Sequence, residues 1–405
     1  MWYNEKNIMG FGVEWNGKRW SSKMVITRIR EEVLSSPRLS ERRGRFGGVV
    51  VIGGANIDLR GRPKGVVLER HTSNPGRINV GSGGVGRNIA HNLALLNVPV
   101  TLLSAVGDDG EGIRILEETG KAGVRTEQMI ISGEHPTGIY LAILDEKGEM
   151  EVAVSDMRIL EEITVEYLRS KAYLIKESKI VVVDTNIPEE SIEYVVDLCN
   201  KMGVPILVEP VSVEKAKKLR KMLDVDGGGS GSEGDGKRGR WAIDYITPSR
   251  NELESILGAG AERDSRDNGE DEGIDVDVDV VKAAEELRRK GAKNVIITLG
   301  KRGIYVSCGG TDGGRKKDCW SKFMAPYRGE VVDVTGAGDA MVAGLVYGIY
   351  KGYSVEVAAR FGLGAAALTI STKEAVRRDL GEGLLRSRIK EEKEGEEREE
   401  GGRLL

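Results

Sequence analysis

Six short apolar runs recur along this 405-residue chain, each closed by glycine or a polar residue: 47–54 (GGVVVIGG), 100–106 (VTLLSAV), 180–184 (IVVVD), 204–208 (VPILV), 243–246 (IDYI) and 294–298 (NVIIT). A strand that is apolar throughout is buried on both faces, which requires a mainly parallel sheet with helices on either side. Helix-period stretches at 87–96, 188–202 and 281–290 lie between the runs. Strand and helix alternate, so the expected architecture is α/β. One region breaks the rhythm. Residues 137–144 and 149–155 are strand-like and flank Asp145-Glu146-Lys147-Gly148, a hairpin signature. With 77–80 they would form a small antiparallel sheet, either a lid beside a cleft or an edge hairpin of the main sheet.

Composition narrows the partners. Sixty Lys and Arg against 64 Asp and Glu leave a net charge of −4, which offers no basic field to nucleic acid or to an anionic membrane. No apolar run approaches the ~18 residues of a spanning helix. Three cysteines without a CxxC point to free thiols in a reducing compartment. His71, His91 and His135 lie far apart in sequence, against a zinc site or a histidine-based triad. Residues 1–46 carry ten Lys/Arg and five Asp/Glu with no apolar period. They read as a disordered extension, a transit peptide being the alternative. The expected location is cytoplasmic, with organelle targeting by that extension left open. A single domain is expected over 47–385, with surface insertions at 226–240, 261–279 and 309–317 and a solvated charged tail at 386–405.

Two glycine-rich segments stand out. Residues 81–88 (GSGGVGRN) match G-x-G-x-x-G, and Asp108 follows at about the distance of a dinucleotide fingerprint. That fingerprint belongs after the first strand of the sheet, and the better strand ends thirty residues earlier. The second segment, 332–341 (VDVTGAGDAM), runs from a strand-like stretch into a helical one. Gly336, Ala337 and Gly338 let consecutive N–H groups converge at a helix start, an anion site. Asp339 adds a carboxylate able to take the proton of an attacking hydroxyl. A glycine turn with a plain aspartate cap would look the same. Gly300-Lys301-Arg302 is not a GK[ST] P-loop, and the HRD and DFG segments of protein kinases are absent.

Residues 333–339 (DVTGAGD) resemble the D-T-x-G-A-G-D signature of the ribokinase-like (PfkB) carbohydrate kinase family, with Val334 as a departure. Residues 83–88 (GGVGRN) and 53–58 (GGANID) resemble its other two signatures, and the likeness runs from about 49 to 371. Within the family, residues 73–76, 83–90, 102–109, 137–145, 155–157 and 208–215 are most similar to the pseudouridine kinase branch. The resemblance implies a three-layer α/β/α core with a small β-sheet lid. It implies ATP and Mg²⁺ as co-substrates, with room for K⁺, and transfer of phosphate to a ribose 5′-hydroxyl, that of pseudouridine. It makes Asp339 the catalytic base and Gly336, Ala337 and Gly338 the anion hole. Asn56, Asp58, Gly83, Gly84, Asn88, Thr137 and Tyr140 fall on the nucleoside side. Thr298, Gly300 and Lys215 fall on the ATP side, and Glu252 and Asp333 at metal ions. Ser249 replaces the asparagine of the family's N-x-x-E motif, and Glu209 stands where close relatives have aspartate. A small-molecule substrate and a homodimer are the partners it allows. The rival readings are a kinase for ribose, adenosine, uridine or a fructose phosphate, and a non-catalytic ligand-binding regulator.

Overall fold

The computed structural model describes residues 47–64, 68–69, 71–145, 150–223, 243–258, 274–312 and 315–402, and in the extension only two short antiparallel strands, 13–15 and 18–20. Along the chain run β1 (Val49–Ile52), β2 (Asn56–Pro63), β3 (Gly76–Gly83), α1 (Val85–Leu95), β4 (Val100–Leu103), β5 (Ala105–Gly107) and α2 (Gly110–Lys121). Then come β6 (Ile130–Ser132), β7 (Gly138–Leu144), β8 (Met150–Asp156), β9 (Ile180–Asp184), α3 (Glu189–Met202), β10 (Ile206–Glu209), β11 (Ile243–Ile246) and α4 (Arg250–Leu257). The remainder is α5 (Ile274–Arg289), β12 (Ala292–Thr298), β13 (Ile304–Asp312), β14 (Arg315–Met324), α6 (Ala337–Tyr350), α7 (Val355–Ile370) and α8 (Glu382–Gly402). Short helical turns link several of these.

The main sheet has eight strands in the order β14-β13-β12-β11-β10-β9-β1-β4. Six of them, β4 through β12, are parallel, and the β13–β14 hairpin closes one edge antiparallel. The apolar runs feed both faces. Val49 and Val51 join a cluster with Ile89 and Leu93 of α1, Met341 and Leu345 of α6 and Phe361 of α7. Val50 and Ile52 join another with Ile192 and Val195 of α3, Leu253 and Ile256 of α4 and Leu287 of α5. All four strand residues are fully buried, each contributing about 1.5–3 kcal/mol by leaving water. This is the expected three-layer α/β/α core, and the parallel strands end together along one rim.

The second sheet has the order β8-β7-β2-β3. It contains the expected hairpin, but also β2 (NIDLRGRP), which alternates polar and apolar only over Asn56–Arg60 before glycine and proline interrupt the pattern. Because β2 pairs parallel with β7 and antiparallel with β3, the sheet is mixed rather than antiparallel. Residues facing the same way across it are Asp58, Gly81 and Tyr140 on one side, and Leu59, Val80, Leu141 and Val154 on the other.

Other expectations meet the structure as follows. The insertion at 226–240 and most of that at 261–279 lie outside the described residues. Positions 274–279 open α5, because Val280, Ala284 and Leu287 recur at helical spacing and are buried. Positions 309–312 and 315–317 extend the β13 and β14 hairpin. The tail is helical through Gly402 rather than a solvated coil. Leu385 is fully buried, and Arg386–Glu382 and Arg388–Glu392 pair at i,i+4.

Candidate active site

The functional side chains gather where β1, β9 and β10 end and where the lid sheet meets α1 and α6. The two glycine turns are held together from below by Asp184, the last residue of β9. Its Oδ2 accepts from Gly54 N at 2.9 Å and Gly86 N at 2.8 Å, and its Oδ1 from Asn186 N at 2.9 Å. Burial pushes its pKa up, eased by the Gly54 and Asn186 amides and by Lys215. Gly84 sits at φ 97°, with a β-carbon's position 2.4 Å from Gly54 O, so no other residue fits where β3 turns into α1.

Asp339 is the third residue of α6, whose N-cap Gly336 is left-handed at φ 77°. Asn88 Nδ2 on α1 donates to Asp339 Oδ2 at 2.8 Å. Burial, and after it the negative charges of Asp184 and Asp58, raise the Asp339 pKa to about 7, although the Asn88 hydrogen bond pulls it down. Of the three N–H groups expected at the anion site, that of Ala337 closes the turn onto Val334 O at 3.2 Å. Those of Gly336 and Gly338 have no backbone partner among the described residues.

Asp58 lies on β2 with Asn56 Nδ2 donating to its Oδ1 at 2.7 Å, and burial raises its pKa against that hydrogen bond. Two residues further on the same face, Arg60 Nη1 reaches across to the loop before α6. It lies 3.2 Å from Thr335 Oγ1 and 3.5 Å from Asp333 Oδ2. The lid is thereby linked to the start of the anion turn.

The geometry redistributes several expected roles. Asn88, expected on ribose hydroxyls, donates to Asp339. Thr137 is buried, and its hydroxyl donates to Asp109 Oδ1 at 2.7 Å while accepting from Gly107 N at 2.9 Å. It anchors the lid to the N-cap of α2 and has no hydroxyl hydrogen to spare for a substrate. Tyr140 does share the Asp58 face, its hydroxyl meeting Met150 Sδ at 3.2 Å. Lys215 donates to Asn186 Oδ1; burial lowers its pKa, with the Asp184 carboxylate opposing. That partnership lies beside the glycine turns. Asp333 Oδ1 accepts from Thr335 N at 2.8 Å and its Oδ2 lies 3.5 Å from Arg60 Nη1, which fixes the turn before α6.

Thr298 comes beside Ser249 through a parallel bridge, and Gly300 follows at φ 56°. Ser249 and Glu252 form a reciprocal capping box at the start of α4, with Ser249 N donating to Glu252 Oε2 at 2.7 Å. Serine at the motif's first position thus caps α4. Glu209 faces Glu252. Burial and then that like charge push the Glu209 pKa well up, and Thr247 donates to its Oε2. Val211, two residues on, is held at φ 67°. For a β-branched residue this is backbone strain of about 1–3 kcal/mol, of the kind stored at functional sites. Among the described residues no group of three or more His, Cys, Asp or Glu is gathered as a metal cage. Glu252 with Glu209 beside it still suits a cation shared with phosphate oxygens, as Mg²⁺ prefers.

Asp184, Arg60 and Arg87 were missed in the sequence. Each left a faint trace: a carboxylate ending an apolar strand, a cation two residues from Asp58, and a cation inside the glycine signature.

Comparisons with known proteins agree with this geometry. The pfkB family carbohydrate kinase profile matches residues 47–226 and 233–379. The chain is 36% identical over 332 residues to the pseudouridine kinase of Escherichia coli K12, covering 82% of this chain and 93% of that one. It is 26% identical to the guanosine-inosine kinase of Exiguobacterium acetylicum, covering 80% and 95%. The Arabidopsis thaliana ribokinase, solved with ribose and ATP, superposes with a TM-score of 0.64 at 22% identity, covering 85% of this chain and 99% of that one; this shows the fold. With its signatures, its core and its lid in place, this chain belongs to the pfkB family of carbohydrate kinases, phosphotransferases that act on a sugar or nucleoside hydroxyl.

Proposed function

We propose that the chain phosphorylates the ribose 5′-hydroxyl of pseudouridine, using ATP and Mg²⁺. The observation that carries the chemistry is Asp339, a carboxylate with its pKa raised to about 7, hydrogen-bonded by Asn88 at the start of α6 and facing Asp58. A base poised near neutrality both ionises and accepts a proton efficiently. Asp58, oriented by Asn56, would accept from vicinal ribose hydroxyls and fix the sugar. Asp339 would take the 5′-OH proton as the alcohol oxygen bonds to the γ-phosphorus and ADP departs. The N–H groups of Gly336 and Gly338 would receive the charge that develops on the phosphoryl oxygens. Thr298 and Gly300 would meet ATP, and Glu252 would hold Mg²⁺, which neutralises phosphate charge when bound.

The choice of pseudouridine draws on the 36% identity to the E. coli enzyme. Pseudouridine differs from uridine by a C-glycosidic bond and a free N1–H, and a site offering an acceptor to that N–H rejects the analogue lacking it. Initial rates of ADP formation with pseudouridine, uridine, adenosine, guanosine, ribose and fructose 6-phosphate test this. The highest kcat/KM belongs to pseudouridine; a faster reaction with any other acceptor refutes that choice. Nucleoside binding without ATP turnover at saturating Mg²⁺ refutes the kinase reading itself.

The same reading includes a homodimer. The lid face opposite Asp58 exposes Ile78, Val80, Leu141, Val152 and Val154, from 37% to 70% accessible. Four strands of seven to eight residues present roughly 450 Å² of flat face, a contiguous apolar area of the size that often serves as an interaction surface. A second copy offers the matching surface about a two-fold axis. No helix among the described residues is long and apolar enough to cross a membrane, and a cytoplasmic site of action completes the proposal.

A further inference from the structure

Arg87 lies between the lid and Asp339. It is 4% exposed, and its guanidinium is engaged on every side. Nε donates to Thr119 Oγ1 at 3.2 Å, Nη1 to Ser82 O at 3.2 Å and to Asn88 Oδ1 at 3.2 Å, and Nη2 is 3.9 Å from Glu118 Oε2. Burial pushes its pKa down to about 10, with Glu118 and Asp58 opposing, so it stays charged at neutral pH. His91, one turn further along α1, is held neutral, pushed down to about 3 by burial and then by Arg87.

The hydrogen bond from Arg87 to Asn88 has a consequence for the base. A primary amide has nearly the same shape either way round, and its partners decide which end is oxygen. Facing Asp339, only the NH₂ end attracts; an amide oxygen there would repel the carboxylate. A flip of Asn88 would also set its NH₂ against the guanidinium, donor against donor. Arg87 therefore excludes the flipped state. The far side of the guanidinium reaches the lid, since Ser82 belongs to β3. Ser82 Oγ donates to Glu118 Oε2 at 2.6 Å, and Arg114, paired with Glu118 at 3.0 Å, donates to Val80 O at 3.2 Å. Lid strand, α2, α1 and α6 are joined in one continuous network that ends on Asp339.

We propose that Arg87 is a positioning residue for the base. It locks the Asn88 amide so that Asp339 is presented to the acceptor hydroxyl, and through Ser82 and Glu118 it ties that presentation to the seating of the lid. The proposal rests on Asp339 being the base. The charged groups facing Asp339 are Asp58 from the lid, Asp184 from β9 and Glu209 from β10. Against these three carboxylates the Asn88 donor is what favours the ionised base, and losing it moves the Asp339 titration upward.

The test is the pH profile of kcat/KM for the acceptor in Arg87→Met and Arg87→Lys, with folding checked by circular dichroism. The expected result is an acid limb moved up by roughly one pH unit, hence about tenfold less activity at pH 6.5, and near wild-type rates at pH 9. Arg87→Lys keeps the charge without the planar fork and should shift the limb in the same direction. It carries the test alone if Arg87→Met does not fold. Glu118→Gln, at the lid end, should move the limb the same way by less, and an unmoved limb there removes the tie to the lid. Equal loss at every pH, or an unshifted limb, in a folded Arg87 variant overturns the proposal. Asp339→Asn, run alongside, separates the two readings. Wild-type turnover in it defeats the assignment of the base, whereas an inactive Asp339→Asn beside unshifted Arg87 variants defeats only the role of Arg87.

Discussion

Replacing Asp339 with asparagine should cut turnover by orders of magnitude and, at neutral pH, make the protein more stable. Folding raises the Asp339 pKa from 3.8 to about 7, chiefly by burial and next by Asp184 and Asp58. The folded state therefore keeps a proton that the unfolded chain releases between about pH 4 and pH 7. Stability falls as pH rises across that window and is level above it. A shift of about three units corresponds to at most ~4 kcal/mol. Asp339 keeps part of its surface open to the cleft, and its acidic neighbours share the relief, so about 2 kcal/mol is the expected gain. Asparagine does not titrate and approximates the protonated acid. Urea denaturation without nucleotide should give matching stabilities at pH 4 and about 2 kcal/mol in favour of the variant at pH 8. Its kcat should fall by about 10²–10⁴ with loss of the base. Wild-type kcat/KM should drop tenfold per unit below pH 7. A stability gap that is the same at both pH values, or a variant less stable than wild type at pH 8, would refute the reasoning.

Gly84→Ala should cost about 2–5 kcal/mol in urea denaturation, combining a left-handed backbone with a β-carbon driven against Gly54 O. Arg60→Ala should raise the acceptor KM about tenfold, some 1.4 kcal/mol, because the contact between lid and anion turn is lost. Its melting temperature should barely move, since that ion pair is 23% and 32% exposed and such pairs are worth at most about 1 kcal/mol. Val154→Glu should shift sedimentation toward monomer by placing charge in the apolar lid face; an unchanged sedimentation coefficient would count against the dimer.

Much of the core was legible because its signals are local. The run Val49–Ile52 is apolar at every position and can only be a strand with both faces covered. The anion turn is legible for the same reason: Gly336 must be glycine where its φ is 77°, and Asp339 follows within one turn of helix. The lid was half legible. The β7–β8 hairpin announces itself by its turn, whereas β2 shows a short alternation at 56–60 only, and its Gly61–Pro63 half is held as strand by its partner β3, with Gly61 also paired to β7.

What the sequence determined by itself is the order of buried strands and helices and the placing of a carboxylate at a helix start, since both follow from periodicity and backbone sterics within a few residues. Who touches that carboxylate was decided only by the tertiary structure. Asn88 meets Asp339 across 251 positions, Asp184 meets Gly54 across 130, and Arg60 meets Thr335 across 275. A hydrogen bond needs its partner within about 3 Å, and no local pattern encodes a distance that the packing of distant elements creates.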